Sequence, residues 1–212
     1  MAVAGVTAFG CPLASVRRPP RPRRPTTPRA SGSVEIRVCT NRTCARQGGR
    51  EVLAALEGLA PPRVDVASCG CLGRCGAGPN IAATVSGSAA VFGHVGTAAR
   101  AAQLLEHLLG GSGFDAAAAL AALAAREKAE AALEKGDSAA AEDLLTEAIG
   151  MNACGGLHLL YRSRSNARLS MGNITGALAD AEEATKIAPK FPQVTLALYI
   201  EFIVLFMLAH LK

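Results

Sequence analysis

Four cysteines in this 212-residue chain have a spacing that could do chemistry: Cys39-x4-Cys44 and, after a gap of 26 residues, Cys71-x3-Cys75. Thiolates are soft donors, and two pairs on two loops can surround a metal centre; four of them complete two tetrahedral irons bridged by sulfides. The second pair sits in SCGCLGRCGAGPN (68–80), where Gly70, Gly73, Gly76 and Gly78 let the backbone wrap closely around an inorganic core. Gly73 and Gly76 are the glycines expected against such a cofactor. Backbone N–H groups freed by the loop can donate to sulfur and tune the centre.

Spacing separates some metal readings from others. Structural zinc most often uses C-x2-C knuckles, which these loops lack. A redox dithiol needs C-x-x-C, and the plant-type run C-x4-C-x2-C is missing too. The spacing supports four ligands without choosing the metal, so a structural zinc module stays open. Cys69 is an additional thiol two residues before Cys71. It either replaces Cys71 after a shift of the loop or is a buried thiol, and the C-x3-C frame favours the latter. Cys11 and Cys154 have no local partner and are expected to be free thiols. His94 and His107 show no ligand spacing and are expected to face solvent.

The elements that must position these loops follow from apolar patterning. VEIRVC (34–39) alternates and predicts a strand. Gly48 and Gly49 open a helical segment carrying Val52, Leu53, Leu56 and Leu59, closed by Pro61 and Pro62. A short strand is predicted over 64–67, and two more over 81–85 and 89–92 around a Ser86–Gly87–Ser88 turn. Thr97 to Leu109 reads as a helix stopped by Gly110 and Gly111. The order β-α-β-loop-β-β-α requires a parallel first pair and an antiparallel second pair, the plan of a thioredoxin-like sheet.

VCTNRTC (38–44) and CLGRCGAGPN (71–80) resemble the ligand motifs of the thioredoxin-like [2Fe–2S] ferredoxins and of the related small flavoprotein-associated subunit of respiratory NADH dehydrogenase. The resemblance spans 34–109. It implies a thioredoxin-like α/β domain, Cys39, Cys44, Cys71 and Cys75 as ligands of a [2Fe–2S] cluster, and one-electron transfer.

GGSGF (110–114) reads as a flexible linker, so the linker is set at 110–115 and a helical domain at 116–192. Within it, Lys135–Gly136–Asp137 and Met171–Gly172–Asn173 are helix–turn–helix junctions 36 residues apart. Ala141 then matches Ala177, Ala148 matches Ala184, and Pro189 ends the second unit. The stretch 122–189 resembles two tetratricopeptide repeats, with two extra residues around Cys154–Gly156. Ala153 stands where the first unit would carry Pro and Ala125 where an aromatic is usual; Tyr161 fills that aromatic place in the second. An unrelated pair of Ala-rich hairpins is the alternative. Repeats of this kind imply a protein partner. The chaperone-tail version needs basic and Asn side chains in the groove; Arg126 and Arg164 fit, Glu130 and Ser163 do not, so the partner is left as an unspecified protein.

Residues 1–33 contain six Arg and no acid, and the remainder holds 16 Lys and Arg against 17 Asp and Glu. The basic balance belongs to the leader, so it gives no ground for a phosphate-binding surface and makes nucleic acid an unexpected partner. Arg-rich, acid-poor and rich in Ser, Thr and Pro, the leader reads as an organelle transit peptide for the chloroplast stroma, with the mitochondrion as the alternative. With five of the seven cysteines between 39 and 75, a secreted disulfide scaffold is excluded. The end of the chain, 193–212, holds the nearly continuous apolar run 194–211. A carboxylate at its middle, Glu201, costs about 2.5–3.5 kcal/mol in a bilayer. The run is expected to be an apolar C-terminal helix, a truncated third repeat capping the second, with a tail anchor as the alternative.

No nucleophile–base pair, phosphate-cradling loop or dinucleotide fingerprint is present. The expected function is an electron carrier or redox-responsive adaptor, not a self-contained enzyme. The competing functions are a non-redox interaction scaffold without a working cluster and the zinc module.

Overall fold

The computed structural model describes residues 34–110, 113–151 and 153–189. Residues 1–33, read from the sequence as a transit peptide, and 193–212, read as an apolar helix with a tail anchor at 194–211 as the alternative, lie outside the described residues. No helix among the described residues is long and apolar enough to cross a membrane.

A small mixed sheet comes first. Strand β1 (Val34–Cys39) is followed by a short helix α1 (Arg42–Arg46), helix α2 (Gly49–Leu59) and strand β2 (Val64–Cys69). Strands β3 (Ile81–Val85) and β4 (Ser88–Phe92) form a hairpin, and helix α3 (Ala98–Leu109) closes the unit. The sheet order is β2-β1-β3-β4. β1 and β2 are parallel, whereas β1–β3 and β3–β4 are antiparallel, as the element order requires. Alternation puts Val34, Ile36 and Val38 in the core, while Glu35 and Arg37 take the other face. There Arg37 pairs with both Glu35 and Asp65. Val52, Leu56 and Leu59 recur at helical spacing on α2 and are fully buried. Thr97 caps α3 by accepting from the Arg100 N–H at 3.3 Å.

Several boundaries differ from the sequence expectation. β2 runs on to Cys69, because Cys39 and Cys69 stay in register at the end of the parallel pair. β4 begins at Ser88, so Ser86 and Gly87 alone make the turn, both with positive φ. α1 was not expected: RTCAR has no apolar periodicity, and its one buried residue is Cys44.

Four helices follow: α4 (Ala116–Glu134), α5 (Ser138–Gly150), α6 (Leu157–Ser170) and α7 (Ile174–Ile187). They form two helical hairpins with the expected 36-residue repeat. In each turn a left-handed glycine, Gly136 or Gly172, is followed by a capping residue. Asp137 accepts from Ala140 N–H and Asn173 from Gly176 N–H, both at 3.1 Å. The paired positions Ala141, Ala177, Ala148 and Ala184 are all completely buried, so the helices approach through methyl groups.

The sheet unit and the hairpins share a core. Phe114, in the segment read as a linker, is buried together with Ala116, Ala119 and Leu123 against the α2–α3 layer. Other residues of α4, Ala122 and Ala129, belong to the core of the hairpins. Gly155 lies so close to Leu59 O and the Phe114 ring that no larger residue fits there.

Candidate metal centre

Both cysteine loops emerge at the end of the sheet where β1 and β2 finish. Cys39 is the last residue of β1 and is tied on both sides: its N–H donates to Asn80 O at 2.9 Å, and Thr40 N–H donates to Cys69 O at 3.3 Å. Asn41 caps α1 and so turns Cys44 back over Cys39; its Oδ1 accepts from Arg42 N–H at 2.7 Å. Cys39 and Cys44 are 1% and 2% exposed. Gly49 closes this loop from below. A Cβ there would stand 2.8 Å from both the Cys39 and the Cys44 carbonyl oxygens, nearer than real side chains come.

The second loop leaves β2 through Gly70 and carries Cys71 and Cys75, both exposed. Left-handed Gly73 turns it, and its N–H points to Cys71 Sγ at 3.4 Å. A single 3-10 turn, Cys75–Ala77, brings Cys75 Sγ to 3.6 Å from Cys71 Sγ. Two thiolates on one tetrahedral metal, with bonds of about 2.3 Å, stand about 3.8 Å apart, so this pair is set for one metal. Around Gly73 and Gly76 no protein atom lies within 4 Å of an added Cβ, and the loop there is open. Gly78 is the glycine in close contact with a ligand candidate: a Cβ would stand 3.0 Å from Cys44 Sγ.

Electrostatics join the two pairs. Burial pushes the Cys39 thiol up, but hydrogen bonds from the Asn41 backbone, the Cys44 side chain and the Leu72 backbone outweigh it and hold it below the ordinary thiol value. The Leu72 contact means that the second loop already reaches the first pair. The Cys75 thiol is raised, first by its hydrogen bond to Cys71 and then by the charges of Cys71, Cys44 and Cys39. The Cys75 thiol thus senses the other three. Among the described residues no group of three or more His, Cys, Asp and Glu side chains is arranged to hold one metal ion.

Cys69 is half-buried at the end of β2, with its thiol raised by burial and then by the charge of Cys39. Replacing Cys71 would pull it out of register with Cys39. Cys154 is exposed between α5 and α6, and His94 and His107 are exposed as expected. Sequence reasoning missed Asn80. It is 1% exposed, and its Nδ2 donates to Arg74 O at 2.7 Å and points to Cys44 Sγ at 3.6 Å. It follows the cis bond Gly78–Pro79 and opens β3. The available signal was a polar residue placed directly before an apolar strand.

The two arginines considered for a peptide-tail clamp are each paired with an acid of the hairpins. Arg164 makes a two-pronged bond to buried Asp180, at 2.7 and 2.8 Å. Arg126 stands 3.3 Å from Glu130 in a cleft that also includes Glu57 and Gly58 of α2. The chain matches no protein-family model, no curated protein and no solved structure.

Proposed function

We propose that residues 34–109 are a thioredoxin-like [2Fe–2S] ferredoxin unit whose ligands are Cys39, Cys44, Cys71 and Cys75. The observation that carries this reading is the pairing of the thiols on adjacent loops, with Cys39 hydrogen-bonded to Cys44 and Cys71 Sγ 3.6 Å from Cys75 Sγ. When bound, the cluster supplies one-electron oxidation and reduction. The chain's own residues do the rest. The hydrogen bonds that hold the Cys39 thiol below its ordinary value favour the thiolate form that metal binding needs. Gly73 N–H and Asn80 Nδ2 direct donors at two of the sulfurs, and burial of Cys39 and Cys44 keeps water from that side.

The hairpins are proposed to be tetratricopeptide-type repeats that dock a protein partner, which makes the protein an electron carrier or redox-responsive adaptor rather than a self-contained enzyme. The composition of residues 1–33 supports delivery to the plastid stroma. Single Cys→Ser variants of the full chain test the ligand set. Cys39, Cys44, Cys71 and Cys75 variants are expected to lose bound iron and sulfide, while Cys69→Ser keeps both. Loss in Cys69→Ser with retention in Cys71→Ser overturns the assignment.

A further inference from the structure

We propose that the end of the sheet carrying the cysteines is a docking face for an acidic protein redox partner. The inference rests on the ferredoxin reading of that site and adds the chemistry of the surface that meets it. Three segments surround the cysteines: 39–51, 69–80 and 93–100. Together they carry Arg42, Arg46, Arg50, Arg74 and Arg100, with Glu51 as the one acid. All five arginines are exposed. Arg42, Arg46 and Arg50 have no side-chain ion pair or hydrogen bond among the described residues. Arg74 and Arg100 donate to backbone carbonyls, of Val91 at 3.4 Å and His94 at 2.7 Å, which fixes their direction and leaves their charge uncompensated. Arg42 and Arg50 flank a groove of about 380 Å³ that reaches Cys69 and Gly70.

Acids collect elsewhere. Glu35 and Asp65 are paired with Arg37 on the open face of the sheet, and Glu57 and Glu106 lie toward the far ends of α2 and α3. Residues 113–189 carry eleven acids against seven Lys and Arg. An acidic surface is therefore drawn to one end of the molecule and repelled along the rest, which orients the encounter as well as speeding it. That same end exposes Cys71 and Cys75 while burying Cys39 and Cys44, so the approach brings the partner to the open pair. A nucleic acid is disfavoured because the three segments contain no Phe, Tyr or Trp ring to serve as a stacking platform for successive bases. A membrane is disfavoured because the large apolar residues exposed among the described residues, Met151 and Met171, belong to the hairpins and not to this face.

Two measurements on the full chain test this, with the triple variant Arg42→Glu/Arg50→Glu/Arg74→Glu and a leader variant, Arg21→Glu/Arg23→Glu/Arg24→Glu, as the control. The first is anisotropy of fluorescein-labelled poly-L-glutamate, which needs no iron. The face variant is expected to bind at least about tenfold more weakly than the leader variant, with both melting within a few degrees of the parent. The second is stopped-flow oxidation of the reduced, iron-loaded chain. Ferricyanide, a trianion, is expected to slow about tenfold between about 10 and 200 mM salt, tris(phenanthroline)cobalt(III), a trication, to speed up, and the face variant to reverse both trends. Equal binding by the two variants, or equal salt slopes for the two oxidants, overturns the proposal. So does tighter binding of single-stranded RNA or anionic vesicles than of poly-L-glutamate through the same arginines, or low-salt self-association that they govern. A chain that takes up no iron contradicts the ferredoxin reading, and the anisotropy result still decides the docking face.

Discussion

The Nδ2 of Asn80 points to Cys44 Sγ at 3.6 Å and donates to Arg74 O at 2.7 Å, so one buried amide joins the first cysteine pair to the loop carrying the second. Asn80→Ala would take one of two donors from the Arg74 carbonyl, which keeps Ala77 N–H at 3.0 Å, and would leave the Cys44 sulfur without the Asn80 amide. The expected cost is about 0.5–1.5 kcal/mol of stability. A hydrogen bond to a ligand sulfur would favour the reduced cluster, so the midpoint potential of the loaded chain is expected to fall when it is removed. Denaturant unfolding and a redox titration check the two effects separately.

Gly49 tests the first loop by steric means. Gly49→Ala would push a methyl group to 2.8 Å from the Cys39 and Cys44 carbonyls, both of them backbone and unable to step aside. A loss of about 1–3 kcal/mol is expected, with weaker retention of iron. The comparison is Gly76→Ala, which meets no atom within 4 Å in the protein. If Gly76→Ala keeps its stability but fails to take up iron, the open space beside Gly76 belongs to the cofactor.

Asp180 holds the second hairpin through three short bonds, two from Arg164 and one of 3.0 Å from Arg168. Its side chain is 4% exposed, and Arg168 is itself paired with Glu142 at 2.6 Å. Asp180→Ala would leave Arg164 without an acidic partner, holding only Thr146 Oγ1 at 3.2 Å, while Arg168 keeps Glu142, for an expected loss of about 3 kcal/mol. Thermal or urea unfolding reads it. Since Phe114, Ala116 and Leu123 join the hairpins to the sheet unit, the loss is expected as an earlier single transition rather than separate melting of the helices.

His158 gives the fold a pH dependence. Burial, and then the charges of Arg126 and Arg162, push its pKa down to about 4, from 6.5. Between these values the unfolded chain binds a proton that the folded chain does not, so stability rises with pH across that window and is flat above it. The full span is worth roughly 3 kcal/mol. His158→Gln is expected to remove this part of the slope, read as the difference between the two proteins' stabilities at pH 4.5 and 7.

Much of this was legible in the sequence. Strict alternation in VEIRVC and the spacing of Val52, Leu56 and Leu59 fixed β1 and α2 because one face of each is buried against the other. The two turns at Gly136 and Gly172 were legible because each carries a left-handed glycine before a capping residue. α1 was not, since five residues around a single buried cysteine leave no period to read. Phe114 was misread as part of a flexible linker because Gly-Gly-Ser dominates its neighbourhood, and only the tertiary fold supplies the pocket that buries it. The cysteine spacing named the four thiols, but nothing in it tells that Cys39 and Cys44 are buried and Cys71 and Cys75 exposed. Asn80 acts across sequence separations of 6 and 36 residues, which local patterning does not reach.

The central claim is tested most directly by electron paramagnetic resonance of the full chain, loaded anaerobically with iron and sulfide and then reduced with dithionite, alongside metal and sulfide analysis. The account predicts two irons and two sulfides per chain, visible absorbance in the oxidised form, and a spin-half signal on reduction equal to one unpaired electron per two irons. A colourless chain that stays silent on reduction and holds zinc at the same cysteines would contradict it.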